Sequence, residues 1–342
     1  MRAEYLGFFG ERRQTPRRDG RTSVEAVIKD LHQEARSNVP ALLVNLAAVG
    51  VGVFAIAAEW PTGHPIYLAC VMLALAYFQH CWTIIFHEDA HYALYPAKRW
   101  HNIFNGTIVG TLLLVPFTIY RQVHIRHHNR MNTPDDWELW PYTDPSRSLT
   151  FRRMFVALDV LLGAWVGPYI YDRIFWARNS PMTDPGMRRR VAIEFGLIVL
   201  FWGSVLGVVA WYGAWQKFAM IYLIPAWLTG LIQTFRKLTE HLGLPAGGAM
   251  NGARTVLSQT AIGRAMAWTS FHIEAHGLHH RYPQMPHGNL KRAMDVTEDV
   301  APELVFPSYW RAVCNMLPHL LRPGIGVNAW VREPQAVESA VR

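Results

Sequence analysis

Residues 124–132 read HIRHHNRMN, and the first five hold three histidines, His124, His127 and His128. The spacing i, i+3, i+4 puts all three on one face of a helix. Three protonated imidazoles in one turn would repel one another. Such a face therefore needs a shared partner that binds neutral imidazole, and a metal ion is that partner. The same spacing recurs in HGLHH, with His276, His279 and His280, while HEDAH places His87 and His91 four apart. His241 stands alone in TEHLG, just after an apolar run. The chain has 16 histidines, and isolated ones such as His32, His64, His101 and His319 read as ordinary core or surface residues. Two H-x-x-H-H clusters and a pair do not. Eight clustered histidines, nine with His241, exceed the roughly four ligands of a tetrahedral zinc. Two metals with four or five nitrogen ligands each, and open positions left over, fit the number.

Working outward, the rest of the chain is apolar. Of 342 residues 51% are hydrophobic and 17% charged, with 14 Trp; soluble domains carry about 25% charge, and Trp favours membrane interfaces. Four stretches suffice for the roughly 20 residues that cross a bilayer: about 41–58, 66–86, 191–211 and 218–235. Two further runs, Ile103–Tyr120 and Met154–Tyr171, are ambiguous, and the second is interrupted by Asp159 and Pro168. All histidine clusters must meet on one side of the membrane. If Ile103–Tyr120 crossed, HIRHH would be stranded opposite HEDAH, so that run is expected to re-enter or lie in the interface, and Met154–Tyr171 likewise to lie in the interface. The expectation is an all-α integral membrane protein with four transmembrane helices and a cytoplasmic helical cap holding a histidine-rich di-metal site. Its parts are a basic cytoplasmic segment 1–39, a membrane domain 40–290 and a cytoplasmic tail 291–342.

The net charge is +8, and residues 1–36 carry Arg2, Arg12, Arg13, Arg17, Arg18, Arg21, Lys29 and Arg36. A basic flank stays cytoplasmic, which puts both termini and the metal site on that side. No recognition motif accompanies the charge, so nucleic acid is not an expected partner. The first apolar run begins only near Pro40, so no cleavable signal is expected. Cys70, Cys81 and Cys314 show no metal spacing and read as structural thiols.

The three boxes HEDAH, HIRHH and HGLHH, in this order after apolar hairpins, resemble those of the membrane fatty acid desaturase and hydroxylase superfamily over about residues 40–290. NRMNTPDDWEL resembles that family's acidic segment after the second box, and RYPQMPHGNL its tail after the third. The resemblance implies a non-haem centre of two iron ions that uses O2 as co-substrate against an unactivated C–H bond of a lipid, most simply desaturation of a fatty acyl chain, with fatty acid or carotenoid hydroxylation or ketolation as the alternative. Carried over by motif, the implied metal ligands are His87, His91, His124, His127, His128, His241, His276, His279 and His280. His80 and His272 fall outside the motifs and read as supporting or core residues. Lys237, one turn before His241, stands where some members use an amide to hold a water. No HPGG of a fused cytochrome b5 domain is seen, so a separate ferredoxin or cytochrome b5-like donor is expected.

From the residues themselves, O2 chemistry demands a redox metal, which zinc is not. Carboxylates are expected to orient the imidazoles, with Glu88, Asp89, Asp135, Asp136, Glu138, Glu240 and Glu274 as candidates. Two rivals remain. HEDAH also matches the zinc protease motif H-E-x-x-H, but the only Asp-Gly is Asp19-Gly20 in the basic segment, and two clusters go unexplained. A metal transporter would place its ligands near the bilayer midplane.

Overall fold

The computed structural model describes residues 24–33, 38–59, 63–95, 98–163, 166–178, 180–297 and 301–329. Arg2 to Arg21 and Arg36 of the basic segment lie outside these residues. Four helices are long and apolar enough to cross a membrane: α2 (Val39–Glu59), α3 (Pro65–Ala90), α8 (Pro185–Trp211) and α9 (Trp215–His241). A short helix α1 (Val24–Gln33) precedes them. The outward faces of the four are apolar. Phe54 is 73% exposed and Leu200 68%. Each such side chain would lose about 1.5–3 kcal/mol of transfer energy in water, so these faces suit lipid.

Three of the four helices reach well beyond the apolar runs, and the extensions carry the chemistry. Helix α3 continues through HEDAH, so His87 lies in its last turn and His91 caps its end. Pro65 at its first turn and the His64 side chain, accepting from the Ile66 N–H, fix its start. Helix α8 starts at Asp184 and Pro185 and includes Arg188 to Arg190 before the apolar core. Helix α9 runs to His241 itself, because Arg236 and Glu240 keep an i, i+4 ion pair on its inner side. His241 is therefore the last helical residue of the span rather than part of a loop after it. Near its start α9 holds a π turn, Ala219–Leu223. Pro225 has no N–H for the Ile221 carbonyl, and the Gln79 amide of α3 approaches that oxygen at 3.5 Å.

The ambiguous run Ile103–Tyr120 is broken. Helices α4 (Arg99–Leu112) and α5 (Phe117–Arg130) meet at 105°. Leu114 takes φ 60° and Pro116 starts α5. Close packing holds the bend, because a Cβ at Gly106 would strike the Phe117 ring. The bend returns HIRHH to HEDAH, with His91 Nε2 and His124 Nε2 2.9 Å apart. A bilayer core is about 30 Å thick, so the pair turns back rather than crosses. Met154–Tyr171 is likewise broken, into α6 (Leu149–Leu162) and α7 (Val166–Trp176), which are 14 and 11 residues long. Neither reaches the length of a span. Gly163 ends α6 at φ 41° against the Gly230 backbone of α9, where no side chain fits.

Beyond the spans sit α10 (Ala261–Thr269), α11 (His276–Arg281), α12 (His287–Met294) and α13 (Tyr309–Met316). One small departure from the all-helical expectation is a parallel pair of two-residue strands, β1 (Thr255–Val256) and β2 (Val305–Phe306). Residues 301–329 pack onto this layer. Gly324 O accepts from the Gly243 N–H, and Ile325 is buried beside Leu242 and Tyr142. Helix α1 docks on α12 through the Asn289 amide, which donates to Leu31 O.

Candidate metal centre

Four helix ends converge beneath this layer. The end of α3 brings His87 and His91, α5 brings His124, His127 and His128, α9 brings His241, and α11 brings His276, His279 and His280. They sort into two groups whose ligand atoms lie within 4.8 Å of one another: His87, His91, His124, His128 and His279, and His127, His241, His276 and His280. Each group draws on three helices. All nine histidines named from the sequence are here, while His80 and His272 belong to neither group. His80 is buried in α3, and His272 stacks on His287 and faces Glu274 at 3.4 Å.

The rings meet through Nε2. His91 and His124 approach at 2.9 Å, His124 and His128 at 3.1 Å, and His128 and His279 at 3.3 Å. In the second group His241 and His276 approach at 2.9 Å, His276 and His280 at 3.1 Å, and His127 and His280 at 3.3 Å. The opposite nitrogens of four rings fix which way their lone pairs point. His124 Nδ1 faces Glu138 at 2.7 Å, His127 Nδ1 faces Asp136 at 2.8 Å, His87 Nδ1 faces Glu88 at 3.1 Å, and His241 Nδ1 faces the Gly252 carbonyl at 3.2 Å. A carboxylate or carbonyl only accepts, so in the neutral ring the proton sits on Nδ1 and Nε2 bears a lone pair. The Nε2 lone pairs of these four rings point into the two groups, and the buried His87 Nε2 has no hydrogen-bond partner among the described residues. Imidazole nitrogens sit about 2.0–2.1 Å from a bound divalent ion, so two at right angles lie about 2.9 Å apart. The donors thus fit metal ions, two of them by the grouping.

Electrostatics agree. Burial and neighbouring imidazoles hold His276, His279 and His280 well below the usual histidine range, in the neutral form that binds metal. Burial alone would raise Glu138, but the adjoining His124 outweighs it and holds the carboxyl low and ionised. His127 is pushed up to about 9, since Asp136 beside it outweighs burial.

Of the carboxylates expected behind the rings, Glu88, Asp136 and Glu138 are there. Asp136 also accepts from the Asn132 and Leu139 N–H groups, which shapes the loop after α5. Tyr171 of α7 donates to Glu138 at 2.9 Å. Three others serve elsewhere: Asp89 accepts from the Asn105 amide of α4, Asp135 pairs with Arg126 at the surface, and Glu274 pairs with His272. Lys237 does not face the histidines. Its ammonium pairs with Asp159 of α6 at 2.5 Å, and Thr234 and Tyr142 donate to the same carboxylate.

Arg254 escaped sequence reading because its neighbours in the chain are uncharged. It is 1% exposed, and its Nη1 donates to Thr239 O and Leu242 O, both at 2.9 Å, while Nε donates to Asn315 Oδ1. The guanidinium thereby closes the C-terminal end of α9 around His241. Arg236, Tyr309 and Tyr171 were also missed. Only Arg236 left a signal, its i, i+4 spacing to Glu240.

A cavity of about 370 Å³ opens beside the histidines. Its wall joins His87, His124, His127, His241 and His276 to Val49 and Val53, halfway along α2, and to Leu223 in the π turn. A chain lying along that wall would have its apolar part in the membrane layer and one stretch at the metal groups.

A buried metal centre of clustered histidines, served from within a membrane-spanning bundle, defines a class of lipid oxidoreductases, and comparison with known proteins agrees. The fatty acid desaturase family model matches residues 62–312, and the chain belongs to that family. It is 24% identical over 245 residues to a fatty acid desaturase of Bacillus subtilis (strain 168), covering 66% of each chain. It is 23% identical to the sn-1 oleoyl-lipid 12-desaturase of Arthrospira platensis over 301 residues, 82% of each. With the sn-1 acyl-lipid omega-3 desaturase (ferredoxin) of Synechocystis it shares 22% over 264 residues, 69% of this chain and 71% of the other. The family makes this chain a desaturase-like oxidoreductase.

Proposed function

We propose that the protein is an O2-dependent desaturase of a fatty acyl chain in a lipid. His87, His91, His124, His128 and His279 would hold one iron ion, and His127, His241, His276 and His280 the other. The observation that carries this reading is the two groups of inward-facing histidine nitrogens at the end of an apolar cavity. When bound, iron supplies the redox chemistry with O2 that imidazole lacks. The chain's own part is positioning. Asp136, Glu138 and Glu88 fix the rings from behind. The cavity takes the alkyl chain out of water and lays one C–C unit beside the histidines. The balance is one O2, two substrate hydrogens, two electrons and two protons to an alkene and two waters. The electrons come from a separate carrier, in line with the name of the Synechocystis relative. The histidine site and both termini face the cytoplasm, where such carriers and the basic flank belong.

Glu88 lies behind His87 and bonds its Nδ1. It is therefore turned away from the ligand side, where the general base of a zinc protease would be needed. The test is expression in a host lacking the activity, with whole-cell fatty acids read by gas chromatography and carotenoids in parallel. A new double bond, lost in His127→Ala with His279→Ala, is expected. Full activity in that double variant would refute the assignment of the site, and a hydroxylated acid or an oxidised carotenoid would replace desaturation.

A further inference from the structure

Two cavities reach the histidine groups, and their walls share no residue. The apolar one meets His87, His124, His127, His241 and His276. The other, of about 220 Å³, meets His128 and His280. Its remaining wall is the end of α5 around Arg130 and the turn Gly247–Gly248 in the loop after α9. His128 belongs to the five-histidine group and His280 to the four. Their ring centroids lie 4.2 Å apart, with the planes tilted by 31°. This second pocket therefore opens onto both groups at once. Its two rings are also the least covered of the nine: His128 is half-buried, and His280, at 7%, is the most exposed of the other eight.

Electron transfer slows steeply with distance, so a carrier outside the chain must come close to a ligand ring. Over the second pocket it would stand against a ring of each group, and it would leave the apolar cavity to the lipid. The charge there suits an acidic partner. No acidic residue is among the lining residues. Arg130 is exposed in the wall, Arg126 stands one turn earlier on α5, and the exposed Arg281 follows His280. Asp135 offsets only Arg126, at 3.3 Å. No carboxylate of the described residues backs either ring, since Nδ1 of His128 and of His280 has no hydrogen-bond partner among them. We propose that this pocket is the docking site of the electron carrier, an acidic ferredoxin-like protein, and that electrons enter through His128 and His280. This rests on the reading above that the chain holds iron and is fed by a separate carrier. The step moves one electron: the reduced carrier is oxidised and a ferric ion of the centre becomes ferrous, with no bond made or broken.

The test uses the full chain in detergent and a plant-type ferredoxin as the probe. Binding is read by the anisotropy of labelled ferredoxin, with and without iron in the chain. Electron transfer is read by stopped-flow oxidation of reduced ferredoxin without O2. Wild type should bind in both states, more weakly as salt rises. Gly247→Glu adds an acid where a Cβ meets only Asn251 Cβ, at 3.6 Å, an ordinary contact. Gly247→Glu and Arg130→Glu should each weaken binding at least about tenfold, by like-charge repulsion, and slow ferredoxin oxidation in step. Their iron content and their reduction by dithionite should stay as in wild type. Arg264→Glu, on α10 and outside the pocket, should bind as wild type does. Wild-type binding and oxidation rates in both pocket variants, or no binding to wild type, overturn the proposal. A chain that takes electrons at this pocket yet forms no double bond leaves the docking site standing and overturns the desaturase reading, a separate result.

Discussion

The Asp136 carboxylate accepts from the Asn132 N–H at 3.0 Å and faces His127 Nδ1 at 2.8 Å, so one side chain ties the loop after α5 to a ring of the metal centre. Asp136→Asn keeps the shape and removes the charge. It should lower iron affinity by about 10- to 100-fold, measured by chelator competition; wild-type affinity would show the pair to be a loop anchor only. The histidines themselves should tolerate nothing. Alanine at any one of His124, His127, His128, His276, His279 or His280 should abolish turnover, while His32→Ala and His101→Ala should leave it intact, by the same fatty acid profile. The eight clustered histidines were legible in the sequence because a helix repeats at i, i+3 and i+4, whereas His241, alone in TEHLG, was named only through the family resemblance. The partners of the rings were only half legible. Acidic residues near the boxes are easily named, but Asp89 and Asp135 look no different in sequence from Asp136. Which carboxylate meets a ring depends on the bend after α5, a contact made across the fold.

Elements end where the chemistry needs them. Helix α9 carries His241 on its final residue, and Arg254 holds that end by donating to Thr239 O and Leu242 O. Arg254→Met would bury those carbonyls unpaired. The cost should be about 2–4 kcal/mol, seen as a lower Tm in detergent together with weaker binding of the second metal. An unchanged Tm would mean that water or another donor replaces the guanidinium. The four spans were readable from apolar length alone, but their ends were not. HEDAH and RKLTEH are polar by composition and helical because their polar groups face inward to partners. The break at Leu113–Pro116 was readable as a requirement, since the clusters must meet, but not as a 105° angle. Nor was the cavity legible: Val49, Leu223 and His276 come from distant parts of the chain.

On the scale of the whole molecule, the meeting of HEDAH, HIRHH and HGLHH demands that residues 87–190 lie on one side of the membrane. Single cysteines placed near Arg126 and near Arg13 should label from the same face in intact vesicles. Labelling from opposite faces would make α4 and α5 a true crossing and would dissolve the shared site. The spans, the re-entrant bend and the layer above them serve one purpose, to bring nine imidazoles together at the end of an apolar cavity. The proposed function turns on the metals that these imidazoles would hold. Elemental analysis of the purified, mildly solubilised chain should give about two irons per chain, as two separate groups of ligands require, and their removal by chelator should abolish desaturation, with iron restoring it. One tightly held zinc, with no iron and no iron-dependent activity, would contradict the account.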